Sequence, residues 1–218
     1  MSMQLTLVQQ ISVWVLPIIF AITFHEVAHG YVAYLLGDKT AYNFGRLTLN
    51  PAKHIDIVGT IIVPVASYML GGIIFGWAKP VPVDTNNFSN PRSGFALVSL
   101  AGPMANFFMT IIWAAVAKLG IMLVAMDFLW AYGIYYMGVV GIKINLILAM
   151  LNLLPIPPLD GWHIVASLLP RDFAAFCYRI EQYGLIILLL LIGSGALGKV
   201  IGPAISGLGG LIFNIFNI

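Results

Sequence analysis

The chain alternates long apolar stretches with short polar ones. The first apolar run extends from about Leu5 to Leu36, with no formal charge between Ile11 and Phe24. A helix that long, rising 1.5 Å per residue, exceeds the roughly 30 Å hydrocarbon of a bilayer, so it tilts or projects into water. Pro17 is a kink site within it, and Gly37-Asp38 stops it. Residues 38–56 are polar and turn-rich, and the alternation in Arg46-Leu47-Thr48-Leu49 predicts a short strand. A second apolar run, Ile57 to Phe75, is broken by Pro64 and Gly71-Gly72. It can cross, or it can enter and return on the same side. Lys79-Pro80-Val81-Pro82-Val83 then favours extended backbone, and the loop ends at Asn90-Pro91-Arg92. Gly94 to Lys118 and Phe128 to Leu154 are two further spanning segments. Roughly Leu185 to Leu197 is the last definite one. The tail, Val200 to Ile218, is apolar but rich in glycine and proline, and fits a further pass or an interfacial helix.

Composition places the whole chain in one class. Of 218 residues, 61% are hydrophobic and only 8% charged, with a mean hydropathy of +0.98. A soluble domain carries about 25% charged residues. The expected fold is an all-α polytopic membrane protein with about four to six transmembrane helices. A re-entrant or short β-strand element is expected between the first and next core helices. The chain reads as a single integral-membrane domain over 1–218, with a core at about 5–165 and C-terminal helices at 183–218. A net charge of +2 on scattered basic residues excludes nucleic acid as a partner. A lone cysteine, Cys177, excludes an internal disulfide and a Cys-rich zinc site. The N-terminus lacks the basic start of a signal peptide, so no cleavage is expected there.

Charge also bears on the second apolar run. If 57–75 crosses, Lys39, Arg46, Lys53 and Lys118 oppose Lys79, Arg92, Arg171 and Arg179, an even split that sets no orientation. If it returns, all but Lys118 fall on one side. The positive-inside rule selects the second arrangement, with the basic side cytoplasmic and the N-terminus outside. It also brings the C-terminal ends of the first and fourth runs to one face.

Inside the first run lies His25-Glu26-Val27-Ala28-His29. On a helix the two histidines are one turn apart and point the same way, so both can hold one metal ion. Glu26 lies beside them, where it can take a proton from a water at that metal. Ionisable groups at bilayer depth are costly and mark functional sites, although two packed histidines remain the alternative. A catalytic zinc takes three protein ligands, and the candidates for the third are His54, Asp56, Asp160 and His163. Asp160 is preferred. It follows Pro155-Ile156-Pro157-Pro158, which cannot stay helical, and Gly161 permits a tight turn after it. His54 reads otherwise as a surface or supporting group, and His163 as a packed histidine near the interface. Asn106 and Asn152 sit in apolar helices, where an amide either joins helices or stabilises an oxyanion or extended substrate; both are catalytic candidates beside Glu26, with function favoured for Asn152 and the two roles evenly matched for Asn106. Asn145 reads as structural. Lys143 snorkels or contacts amide or backbone groups.

Together, the HExxH stretch, Gly102-Pro103…Asn106, and Asn152 leading to Leu159-Asp160-Gly161 resemble the site-2 protease family of intramembrane zinc metalloproteases. The resemblance spans roughly residues 20–165. It implies one zinc per chain, held by His25, His29 and Asp160, with Glu26 as the base. It also implies hydrolysis of peptide bonds within or near transmembrane segments of other membrane proteins, in a multi-pass protein of the cell membrane with its active site towards the cytoplasm. The chain looks like the short branch without a PDZ domain. It lacks an apolar helix before the HExxH segment, and its 38–93 region is expanded. A metal transporter or an inactive membrane scaffold are the rival functions. Neither gives Glu26 a role.

Overall fold

A computed structural model describes residues 6–71 and 76–218. The extreme start of the first apolar run and residues 72–75 of the second therefore lie outside the described residues. The helices are α1 (Leu7–Leu35), α2 (Thr40–Asn43), α3 (Val63–Gly71), α4 (Pro91–Ala125), α5 (Tyr132–Asn152), α6 (Asp160–Leu168), α7 (Arg171–Glu181), α8 (Gly184–Gly193) and α9 (Ala196–Phe216). Their starts follow from the sequence. Thr6 and Gln9 form a reciprocal cap ahead of α1, and Asn90 caps α4 with Pro91 in the first turn.

Among the described residues, four stretches are long and apolar enough to cross a membrane: Val8–Leu35, Pro91–Ala125, Leu129–Asn152 and Ala196–Phe216. Large apolar side chains such as Trp14, Ile18, Phe108, Ile111 and Leu211 face outward, which is costly in water and favourable against lipid. The C-terminal expectation needs correcting. The stretch read as the last definite span, Leu185 to Leu197, is a ten-residue helix ending at Gly193, too short at about 15 Å to cross. Gly195, in the left-handed region at φ 70°, starts a new helix, and the glycine-rich tail is the long one. Glycine and proline are tolerated in membrane helices far better than in soluble ones.

No strand occurs among the described residues. Arg46–Leu49, expected as a strand, is a series of bends because local partners take its polar groups. The Arg46 N–H donates to the Ala41 carbonyl, and His54 Nε2 bonds the Thr48 carbonyl at 2.9 Å.

Helix directions can be read from paired contacts. Gly120, Ala117 and Trp113 of α4 lie against Tyr135, Gly138 and Gly141 of α5, and Asn106 bonds Asn145, so the two helices are antiparallel. A Cβ at Gly138 would clash with the Ala117 backbone. Small residues at such a seam let the helices approach closely. His25 meets Asn106 and His29 meets Val98, so α1 and α4 are antiparallel too. The C-terminal ends of α1 and α5 and the N-terminal end of α4 therefore share one end of the bundle. α9 lies against α5, with Ile205, Leu208 and Ile212 on the core of Met109, Trp113, Ile142 and Leu146.

The chain before and after the second apolar run is joined at this end of the bundle. After a π-helical stretch, Ile57–Ile62, and α3, the chain returns so that Lys79 N–H donates to the His54 carbonyl and Trp77 N–H to the Gly59 carbonyl, both at 3.0 Å. A Cβ at Gly59 would fall on the Trp77 indole. Cysteines placed at Lys53 and Lys79, after Cys177→Ala, should therefore react with an impermeant reagent from the same side of a sealed vesicle. Labelling from opposite sides would contradict this closed neck.

Candidate metal centre

The site forms where α1, α4 and α6 meet. His25 and His29 project from one face of α1, with Nε2 atoms 3.0 Å apart. Asp160 opens α6, and its Oδ2 lies 3.1 Å from His25 Nε2 and 3.4 Å from His29 Nε2. Gly161 does not make the expected turn. It continues the helix, and its missing side chain lets α6 start against the Leu153 and Leu154 carbonyls at the end of α5.

The other ring nitrogens are already committed. His25 Nδ1 donates to Asn106 Oδ1 at 2.7 Å, and His29 Nδ1 donates to the Val98 carbonyl at 2.6 Å. Those acceptors fix the tautomer, leaving a lone pair on each Nε2. Asp160 Oδ2 is buried and makes no hydrogen bond. Three lone pairs at such separations repel unless they share a cation. Ligands of a tetrahedral zinc at about 2.0–2.1 Å would lie about 3.3 Å apart, close to what is seen. Gly102 of α4 keeps the place open, since a Cβ there would land on His29 Nε2 and on His25 Cε1. The residues fit zinc.

The remaining candidates are placed as follows. Asn106 is fully buried, and its Nδ2 donates to the Ala21 carbonyl and to Asn145 Oδ1. With Oδ1 on His25, its amide is occupied on both sides. Asn152 donates to the Leu148 carbonyl one turn back rather than to any of the three ligand candidates. His54 is turned to Thr48, and Asp56 caps the following helical stretch through the Gly59 N–H. His163 stacks beside Phe95 with Nε2 3.8 Å from Glu181. Among the described residues, only His25, His29 and Asp160 group as metal ligands.

Glu26 has a partner the sequence reading missed. Its Oε2 accepts the Val81 N–H at 2.9 Å, so the loop Lys79–Val83 passes over Glu26. The proline spacing carries that signal, because only residues 79, 81 and 83 keep an N–H. Asp38, also missed, anchors this loop. Its buried carboxylate accepts the N–H of Thr40 and of Asp84 and the Asn87 amide, at 2.8–3.0 Å, besides the Thr40 hydroxyl. Burial pushes the carboxyl up, but these bonds outweigh it and hold it below the ordinary carboxylate value. A carboxylate lowered in this way stabilises the fold fully above its unfolded pKa of about 3.9, and the contribution is lost as pH falls towards the folded value.

Comparison with known proteins agrees with this chemistry. Residues 117–192 match the model for peptidase family M50. A Bacillus subtilis protein named "Putative zinc metalloprotease YwhC" is 39% identical over 205 residues, covering 93% of this chain and 90% of the relative. A Mycolicibacterium smegmatis protein named "Putative zinc metalloprotease Rip2" is 30% identical over 182 residues, covering 83% of this chain and 66% of its own. Its Mycobacterium tuberculosis namesake is 31% identical over 167 residues, covering 77% and 61%. No solved structure matches. The chain belongs to peptidase family M50, the site-2 protease family, and is a multi-pass membrane zinc metalloendopeptidase.

Proposed function

We propose that the chain is a single-domain intramembrane endopeptidase that holds one zinc through His25, His29 and Asp160 and cleaves transmembrane segments of other proteins. The observation that carries this reading is the convergence of three donor atoms within 3.0–3.4 Å of one another, next in sequence to Glu26. When bound, zinc supplies Lewis-acid polarisation of the scissile carbonyl and activation of a water. Glu26 accepts the proton of that attacking water and delivers it to the leaving amine. Asn106 acts as a positioning residue, holding the His25 ring so that Nε2 faces the metal. Asn152 exchanges its bond to Leu148 for substrate oxygen.

The basic loops favour a cytoplasmic position for this end of the bundle, in the cell membrane. The excursion 57–75 dips into the same leaflet and returns. A helical substrate must unwind before it can be cut, and the 44–83 region, with its extended Lys79–Val83 segment, can receive the unwound chain by strand addition.

The experiment for the activity compares wild type with Glu26→Gln, each in vesicles with a single-span substrate. Fragments from the wild type alone support the protease. Zinc uptake without fragments supports a transporter. The two asparagines should separate in the same assay. Asn106→Ala should weaken zinc binding by about 10–100-fold. Asn152→Ala should keep zinc and thermal stability yet cleave about 100-fold more slowly. Loss of zinc or stability in step with activity would make Asn152 structural.

A further inference from the structure

Beside the loop that covers Glu26 lies a cleft of about 360 Å³, lined by Phe44, Arg46, Lys79, Pro80 and Pro82. Arg46 is only 7% exposed. Its Nη2 donates to the Lys79 carbonyl at 2.8 Å, and its buried Nε has no acceptor. Among the described residues no carboxylate pairs with Arg46 or Lys79. The acids nearest in the chain are engaged elsewhere: Glu26 with Val81, Asp38 with the loop anchors, Asp56 with Gly59 and Asp84 with Asn86. A buried guanidinium without a counter-ion is costly, and an arriving anion relieves that cost.

We propose that this cleft, formed by Arg46, Lys79 and the Pro80–Pro82 stretch of the loop, is a subsite for a carboxylate of the peptide substrate. The inference rests on the protease reading above. A peptide is favoured over a lipid because the cleft adjoins the base. Pro80 and Pro82 line the cleft, while Val81 between them holds Glu26. Because the two prolines flank the residue that bonds Glu26, a carboxylate seated there belongs to a residue a short way along the substrate from the bond cut at Glu26. Phe44 and the prolines give the neighbouring methylenes an apolar wall. Arginine's fork suits a carboxylate, and Lys79 adds a second positive charge at the rim. The carboxylate is an Asp or Glu side chain on the water side of the scissile bond, or the substrate's own C-terminus.

The test uses the full chain with zinc, in phosphatidylcholine vesicles, and single-span substrates carrying Asp or Asn at each position on the water side of the cut. A further pair ends in a free or an amidated C-terminus. The wild type should favour Asp at one or two positions, or the free C-terminus, by about 10-fold in kcat/KM, with the difference mainly in KM. Lys79→Met should cut that ratio several-fold, and Lys79→Arg should restore it. The Lys79 backbone ties to His54 and Arg46 do not involve its side chain, so this variant avoids disturbing the loop. Arg46→Met should lower the ratio too. A wild type that cleaves Asp and Asn substrates and both C-termini equally, or a Lys79→Met protein with the full preference, overturns the subsite while the protease reading stands. In a parallel binding measurement with phosphatidylserine vesicles, loss of anionic-lipid binding in the variants, with no substrate preference in the wild type, overturns it in favour of a headgroup. A wild type that cuts no substrate defeats the protease reading itself.

Discussion

Glu26→Gln should retain its zinc and cleave a single-span substrate about 10²–10⁴-fold more slowly than the wild type, the range lost with a general base. Glutamine has nearly the same shape, and its Oε1 can still accept the Val81 N–H, so the loop over the site keeps its anchor. What it cannot do is take a proton from water or return one to the leaving amine. The zinc content and the initial rate of fragment release, measured on the same preparation, check both halves. A rate within about 10-fold of wild type would remove Glu26 from the mechanism, because that is less than general-base catalysis supplies. Loss of zinc would instead assign it to metal retention.

Asp160→Ala should empty the metal centre. Its Oδ2 is the third donor, and the two histidines left behind present lone pairs 3.0 Å apart with no anion beside them. A structural zinc site is worth about 10–16 kcal/mol over four ligands, so losing one weakens binding by about 100-fold or more. Metal analysis after dialysis should find little zinc in Asp160→Ala and full occupancy in His54→Ala and His163→Ala. The His54 ring is bonded to the Thr48 carbonyl, and His163 faces Glu181. Full occupancy in Asp160→Ala, with His54→Ala emptied, would transfer the third position to His54.

The geometry of this centre is legible in the sequence where chemistry is local. The i, i+4 histidines need only a helix, and Asp160 stands out as a carboxylate set by prolines at the end of an apolar run. Asn106 shows the limit. Its pairing with His25 joins positions 81 apart, and the same amide in an apolar helix fits an oxyanion donor equally well. The C-terminal helices show another limit. Hydropathy sees one apolar stretch across Leu185 to Leu197, whereas the break depends on a single left-handed residue, Gly195. The strand expected at Arg46–Leu49 failed for a related reason, since alternation cannot reveal that Ala41 and Lys79 take the polar groups of Arg46.

The neck that joins His54 to Lys79 and Gly59 to Trp77 decides where this protein can change length. Residues gained or lost between Thr60 and Gly76 alter how far the excursion reaches, but the junction resets the chain before it meets α1. Drift in that limb is therefore silent at Glu26. The stretch after the junction has no such freedom. One residue inserted between Lys79 and Pro80 would turn a proline towards Glu26 and remove the N–H that the carboxylate accepts. Indels are tolerated on one side of this pair of backbone hydrogen bonds and excluded on the other.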